Sequence, residues 1–141
     1  MSDRLEIADV LTRYTRAIDF GEWDLLDTVF TPDADVDYTQ SGGIHDTFAT
    51  VKPWLAEMLP AFFTTRMHTI GQVHVAWAGG EPGADAAEVT AYFDNPMTMD
   101  DGQGGTKVAE VGGMYLHSMV RTPAGWRSKQ LVERVIWKRG I

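Results

Sequence analysis

From residue 65 to residue 137 the chain is a succession of alternating apolar segments, interrupted only by clusters of turn residues. Nothing else in the sequence restricts the fold as much. The segments run over residues 65–78 (TRMHTIGQVHVAWA), 85–99, 106–121 and 125–137. They are separated by Gly79-Gly80-Glu81-Pro82-Gly83, by Asp100-Asp101-Gly102-Gln103-Gly104-Gly105 and by Thr122-Pro123-Ala124-Gly125. A period of two places Ala87, Val89, Ala91 and Phe93 on one face, so the pattern predicts an antiparallel meander. Parity changes inside the first segment. His68 and Ile70 share a face, whereas Val73, Val75 and Trp77 have the opposite parity. A bulge near Gly71-Gln72 would bring His68 onto the inner face with that series, and would give the sheet the curvature it needs to wrap a pocket.

The preceding part is helical. Residues 3–20 form an amphipathic segment in which Ile7, Ala8, Leu11, Tyr14, Thr15 and Ile18 share one side. Asp3 and Glu6 have the spacing of a capping box, and Gly21 stands just past the end. Residues 22–30 predict a second short helix stopped by Thr31-Pro32-Asp33, and residues 34–38 a strand. Residues 46–63 predict a third helix with Thr47 as cap, Val51, Trp54, Leu55, Met58 and Leu59 turned inward, and Pro60 ending or kinking it. Helices followed by a meander define an α+β chain. At 141 residues, without repeat or linker, it is expected to be a single domain over residues 1–141.

Composition removes several classes of function. A net charge of −8 disfavours nucleic acid and anionic membrane as partners, because both require clustered Lys and Arg. With no cysteine there is no disulfide, no thiolate nucleophile and no cysteine metal cluster. No apolar run is long enough to span a bilayer and no secretory signal is evident, so a cytoplasmic location is expected. His45, His68, His74 and His117 lack metal-ligand spacing, and Gly102–Gly105 lacks the following helix of a phosphate loop, so no metal and no cofactor are expected.

Two residues stand out chemically. On the helical wheel Asp19 falls at the margin of the apolar side, where a carboxylate is costly without a partner. His68 lies on a strand predicted to face inward. An imidazole held by a buried carboxylate makes a general base, since the carboxylate fixes the tautomer and stabilises the imidazolium. Periodicity alone leaves this reading open against a helix-end aspartate and a satisfied core histidine. Tyr14 shares the inner face of the first helix, either as core or with its hydroxyl in a pocket. Phe20, Trp23, Trp54, Phe62, Phe63, Met97 and Met99 could line an apolar pocket or belong to the core. Asn95, just before Pro96, reads as a strand-end turn former. Trp126 and Trp137 are expected to pack the sheet or a subunit contact.

The string Tyr14-Thr-Arg-Ala-Ile-Asp19-Phe-Gly-Glu-Trp23, followed by Phe30-Thr-Pro-Asp33-Ala-Asp-Val-Asp37-Tyr38, resembles the opening of the SnoaL-like branch of the nuclear-transport-factor-2-like superfamily. Thr65-Arg-Met-His68, Gly112-Gly113-Met-Tyr115 and Arg121-Thr-Pro-Ala-Gly125-Trp126-Arg127 extend that resemblance over nearly the whole chain. It implies a cone-shaped α+β barrel, with three helices packed on a curved, mainly antiparallel sheet around one pocket. It also implies a cofactor-independent lyase of the dehydratase type, as in scytalone dehydratase, bile acid dehydratase and hexachlorocyclohexane dehydrochlorinase. In these an Asp near the end of the first helix pairs with a strand His, at positions that match Asp19 and His68. Tyr14 matches an active-site tyrosine of bile acid dehydratase and Tyr38 a pocket tyrosine of scytalone dehydratase, and Asn95 lies near an acidic position that bile acid dehydratase uses, which the resemblance makes a pocket candidate. Arg121 matches an arginine of the dehydrochlorinase that favours a departing anion, although directly before the Thr-Pro-Ala-Gly turn the solvated strand end is the favoured reading. Ile18 replaces a family tyrosine, and the last-strand arginine of bile acid dehydratase falls nearest Val135.

The expected ligand is a hydrophobic cyclic small molecule with an activated C–H bond, and the expected assembly a homodimer or homotrimer packed through the outer sheet face. A polyketide-type cyclase or isomerase using the same pair, and a non-catalytic binding or assembly module, are the alternatives.

Overall fold

The structure, a computed structural model, describes residues 2–141. Helix α1 (Asp3–Phe20) opens on Ser2, whose hydroxyl accepts from the Leu5 amide, and closes on Gly21 with φ 67°. The expected Asp3–Glu6 capping box is therefore not the cap. Asp3 instead accepts from Arg121 and from the Trp126 indole, and Glu6 accepts from the Trp126 amide, which ties the start of α1 to the far sheet turn. The buried stripe of α1 is Ile7, Val10, Leu11, Tyr14, Ala17 and Ile18. It is rotated slightly from the expected one, since Ala8 is exposed and Thr15 only half-buried. The side that meets the sheet is set by packing against it, which a wheel alone cannot orient.

The second helix is a short 3-10 segment, Trp23–Thr28, that buries Leu26. Strand β1 (Phe30–Asp37) follows, starting four residues earlier than expected because Phe30 and Ala34 also pack inward. Strand β2 (His45–Thr47) leads into helix α2 (Phe48–Phe62), which contains both Pro53 and Pro60 and buries Phe48, Val51 and Leu55. The expected long strand over 65–78 is two: β3 (Thr65–Arg66) and β4 (Thr69–Trp77). Strands β5 (Ala86–Asp100), β6 (Thr106–Thr122) and β7 (Gly125–Arg139) complete the meander.

The sheet runs β2-β1-β7-β6-β5-β3, with β4 also on β5. All its pairs are antiparallel except β1 with β7, so the sheet is mixed. It curls into a half-barrel with the three helices packed against it. Bulges supply the curl. On β4, Gly71 and Gln72 together oppose Tyr92. On β7, the register shifts opposite Ser118/Met119 and again opposite Gly112/Gly113. The inner face carries Ala87, Val89, Ala91, Phe93, Tyr115, Met119, Trp126 and Leu131, all buried against α1 and α2. Trp126 is fully buried, while Trp137 stays partly exposed on the outer face near Tyr92 and Ile136.

Candidate active site

Asp19 sits in the last turn of α1, where the helix dipole disfavours a carboxylate. Two donors from a single residue offset this. The His68 backbone amide donates to Oδ2 at 2.8 Å, and His68 Nδ1 lies 2.6 Å from Oδ1. The amide is available because His68 falls in the gap between β3 and β4, where it owes no ladder bond to β5. Arg66, in β3, donates to the Ile18 carbonyl at 2.9 Å and to the Phe63 carbonyl at 3.0 Å, fastening the end of α1 to the end of α2. The His68 side chain is 2% exposed and that of Asp19 15%. With Nδ1–H donated to Asp19, the imidazole keeps its lone pair on Nε2, and Tyr115 on β6 donates to it at 3.0 Å.

Tyr14 and Tyr38 form a second polar point, their hydroxyls 2.5 Å apart. The rings of Tyr14 and Tyr115 meet edge to face at 5.1 Å, and Phe93 stacks on Tyr115 at 4.0 Å. Burial pushes all three phenols well above their ordinary pKa, so they remain O–H donors at any working pH.

These groups open on a cavity of about 290 Å³, at the lower edge of the ~300–1,000 Å³ typical of small-molecule pockets. Its polar lining comes from Tyr14, Tyr38, Ser41, His68, Asn95, Tyr115 and Glu133, and its apolar lining from Ile18, Trp54, Leu55, Met58, Leu59, Phe62, Phe63, Met97, Met99 and Val111. Among the described residues no three His, Asp or Glu side chains converge as metal ligands.

Three residues expected at the pocket are elsewhere. Phe20 is 68% exposed and lies under the Arg16 guanidinium, because it points away from the buried stripe of α1. Trp23 is half-buried beside Arg66 and does not reach the cavity. Arg121 pairs with Asp3 and Asp85 and lies over Trp126. That places it at the opposite end of α1 from Asp19, about 24 Å away at 1.5 Å per residue. Its two carboxylate partners hold it fully charged, and it in turn pulls Asp3 down to about 2.

Tyr115 and Glu133 are among the lining residues that the sequence pattern does not single out. Tyr115 stands out in the sequence only as part of the Gly112-Gly113-Met-Tyr115 motif. Glu133 on β7 is 7% exposed, and burial pushes its carboxyl up to about 7. Counting by twos from Trp126 and Ser128 would put Glu133 on the outer face. The bulge at Lys129 reverses that parity, so Leu131, Glu133 and Val135 turn inward while Arg134 is exposed. The run Leu131-x-Glu133-x-Val135 was the available signal.

The helix-backed, curled half-barrel has the nuclear-transport-factor-2-like fold. Residues 1–132 match the model of the SnoaL-like domain, and the chain belongs to that family. The uncharacterized protein Rv2910c of Mycobacterium tuberculosis is 38% identical over 133 residues, covering 94% of this chain and 85% of that protein. Two solved structures share the fold. A candidate scytalone dehydratase from Novosphingobium aromaticivorans is 15% identical with TM-score 0.81, covering 98% of this chain and 87% of that one. Hexachlorocyclohexane dehydrochlorinase LinA-type3 from Novosphingobium barchaimii is 13% identical with TM-score 0.79, covering 98% and 91%.

Proposed function

We propose that this protein is a cofactor-independent lyase that removes a proton from a carbon next to a carbonyl and expels water from a one- or two-ring hydrophobic substrate. The observation that carries the reading is the imidazole of His68. Its Nδ1 is engaged by Asp19 and its Nε2 faces an apolar cavity. Such a ring has one basic nitrogen, fixed in direction, at the wall of a largely apolar cavity. On binding, the substrate displaces the Tyr115 hydroxyl from Nε2. That hydroxyl then donates to the carbonyl oxygen, which gains charge as the C–H bond breaks. Asp19 holds the imidazolium that forms. Both structural neighbours carry names of elimination enzymes, dehydratase and dehydrochlorinase. Loss of water suits this pocket better than loss of a halide, because no Lys or Arg is among its lining residues and Arg121 is committed elsewhere.

The test uses alpha-tetralone, a bicyclic ketone, in deuterated water, with exchange of its C–H bonds next to the carbonyl followed by NMR. The wild-type protein should accelerate exchange over buffer. His68→Gln and Asp19→Asn should each lower the acceleration by at least about a hundredfold, the lower end for a positioned general base. Exchange that is catalysed equally by His68→Gln would sink the assignment. A β-hydroxy derivative of the same ring, followed by enone absorbance, separates elimination from isomerisation.

A further inference from the structure

Glu133 and Asn95 line the cavity, and the buried Glu133 Oε1 and Asn95 Oδ1 have no protein partner. Their residues are 7% and 8% exposed. Glu133 is faced by Tyr14 from α1, by Asp37 and Tyr38 at the end of β1, by Ser41 from the turn that follows, and by Tyr115 directly across on β6. His68 lines the same cavity from the β3–β4 gap. No cation lies among the lining residues. An ionised Glu133 would thus be a buried charge without a counter-ion and with Asp37 repelling it, a situation a carboxyl group escapes by keeping its proton. Burial is the main cause that moves it up to about 7, Asp37 adds to it, and the Ser41 hydroxyl works against both. A carboxylic acid kept neutral in an apolar site is a hydrogen-bond donor, as a carboxylate never is.

We propose that Glu133 is the carboxylic acid that hydrogen-bonds to an oxygen of an uncharged, one- or two-ring ketone or alcohol, and that Asn95 Oδ1 accepts from a second hydroxyl of the same ligand. This rests on the elimination reading above. In turnover His68 Nε2 takes the proton from carbon, and the C–H electron pair is held as the enolate whose oxygen accepts from Tyr115. That pair then forms the new C=C bond as the C–O bond breaks, and the Glu133 proton goes to the departing hydroxyl, which leaves as water. The site is left with imidazolium His68 and carboxylate Glu133. Proton return from the first to the second restores it, so no oxidant, reductant or further reactant is required. The same cavity disfavours carboxylate ligands, whose charge would be buried with no cation among the lining residues.

The experiment is NMR of protein labelled at the glutamate side-chain carboxyl carbons, titrated with and without saturating alpha-tetralone. It is done in a His68→Gln background so that no imidazole titrates in the pocket. The Glu133 signal is identified by its loss in Glu133→Gln. We expect the carboxyl to keep its proton to about 7. Because tetralone can only accept, it should bind the acid form at least about tenfold better and raise the midpoint by about one unit or more. Alpha-naphthoate should bind at least about tenfold more weakly than alpha-tetralone at the same near-neutral pH. A Glu133 carboxyl that titrates in the ordinary carboxylate range, or a midpoint that tetralone leaves unmoved, overturns the proposal. Neither result depends on whether His68 is a base, which the deuterium-exchange experiment decides separately.

Discussion

At the scale of single residues the site is organised by who donates to whom. Asp19 is acceptor twice over to His68, which fixes ring orientation and tautomer together, so an amide at position 19 keeps the shape and loses the charge. Tyr115 has two successive partners in the proposed cycle, Nε2 in the free protein and the substrate oxygen in turnover. Tyr115→Phe therefore removes an oxyanion donor while freeing the base. The expected outcome is a loss of ~10²–10³ in kcat for tetralone exchange with little change in KM. Unchanged kcat would mean that the hydroxyl only parks the imidazole. The apolar stacking of the Tyr115 ring on Phe93 is retained in the Phe variant, so the fold should not be at risk.

At the scale of elements, the bulges decide where side chains point. The one on β4 lets the Val73–Trp77 series face the core while His68 reaches Asp19, and the one on β7 turns Glu133 inward. Opposite the second β7 shift stands Gly113. A Cβ there would lie 2.0 Å from the Arg134 carbonyl oxygen, a backbone atom that cannot swing aside. Gly113→Ala must therefore push β6 and β7 apart beside the cavity. It is expected to cost about 2–4 kcal/mol, in line with overpacking and a disturbed ladder, and to lower tetralone affinity as well. Chemical denaturation followed by tryptophan fluorescence measures this, and a cost below about 0.5 kcal/mol would contradict the close approach. The conformation of Gly113 is ordinary, with φ outside the positive range, so the requirement is one of space alone.

At the scale of the whole molecule, two buried titratable groups pull stability in opposite directions. His117 is fully buried, with Nδ1 at 2.8 Å from the Ser128 hydroxyl, and burial drops its pKa to about 3. Between that value and the ordinary histidine pKa of about 6.5, the unfolded chain binds a proton that the folded protein refuses, so stability falls as pH falls through the window. Glu133 does the reverse. Between about 4.5 and its raised value of about 7 the folded protein holds a proton that the unfolded chain has released, so stability falls as pH rises. Each slope is at most about 1.4 kcal/mol per pH unit. Glu133→Gln should thus gain stability over wild type progressively from about pH 5 to about pH 7, read as the difference in Tm against pH, and a difference constant with pH would refute the buried acid. The meander, the helical front and the inner faces of β5 and α2 were legible in the sequence, because a period of two or of 3.6 is a local property of consecutive residues. The pairing of Asp19 with His68 could be suspected there, as a carboxylate on an apolar margin and an imidazole of inward parity. The committed role of Arg121, the outward Phe20, the parallel β1–β7 contact and above all the inward Glu133 were decided in three dimensions. Each depends on which distant strand a segment lies against and on where a single extra residue reverses the pleat, and neither is written in the local pattern.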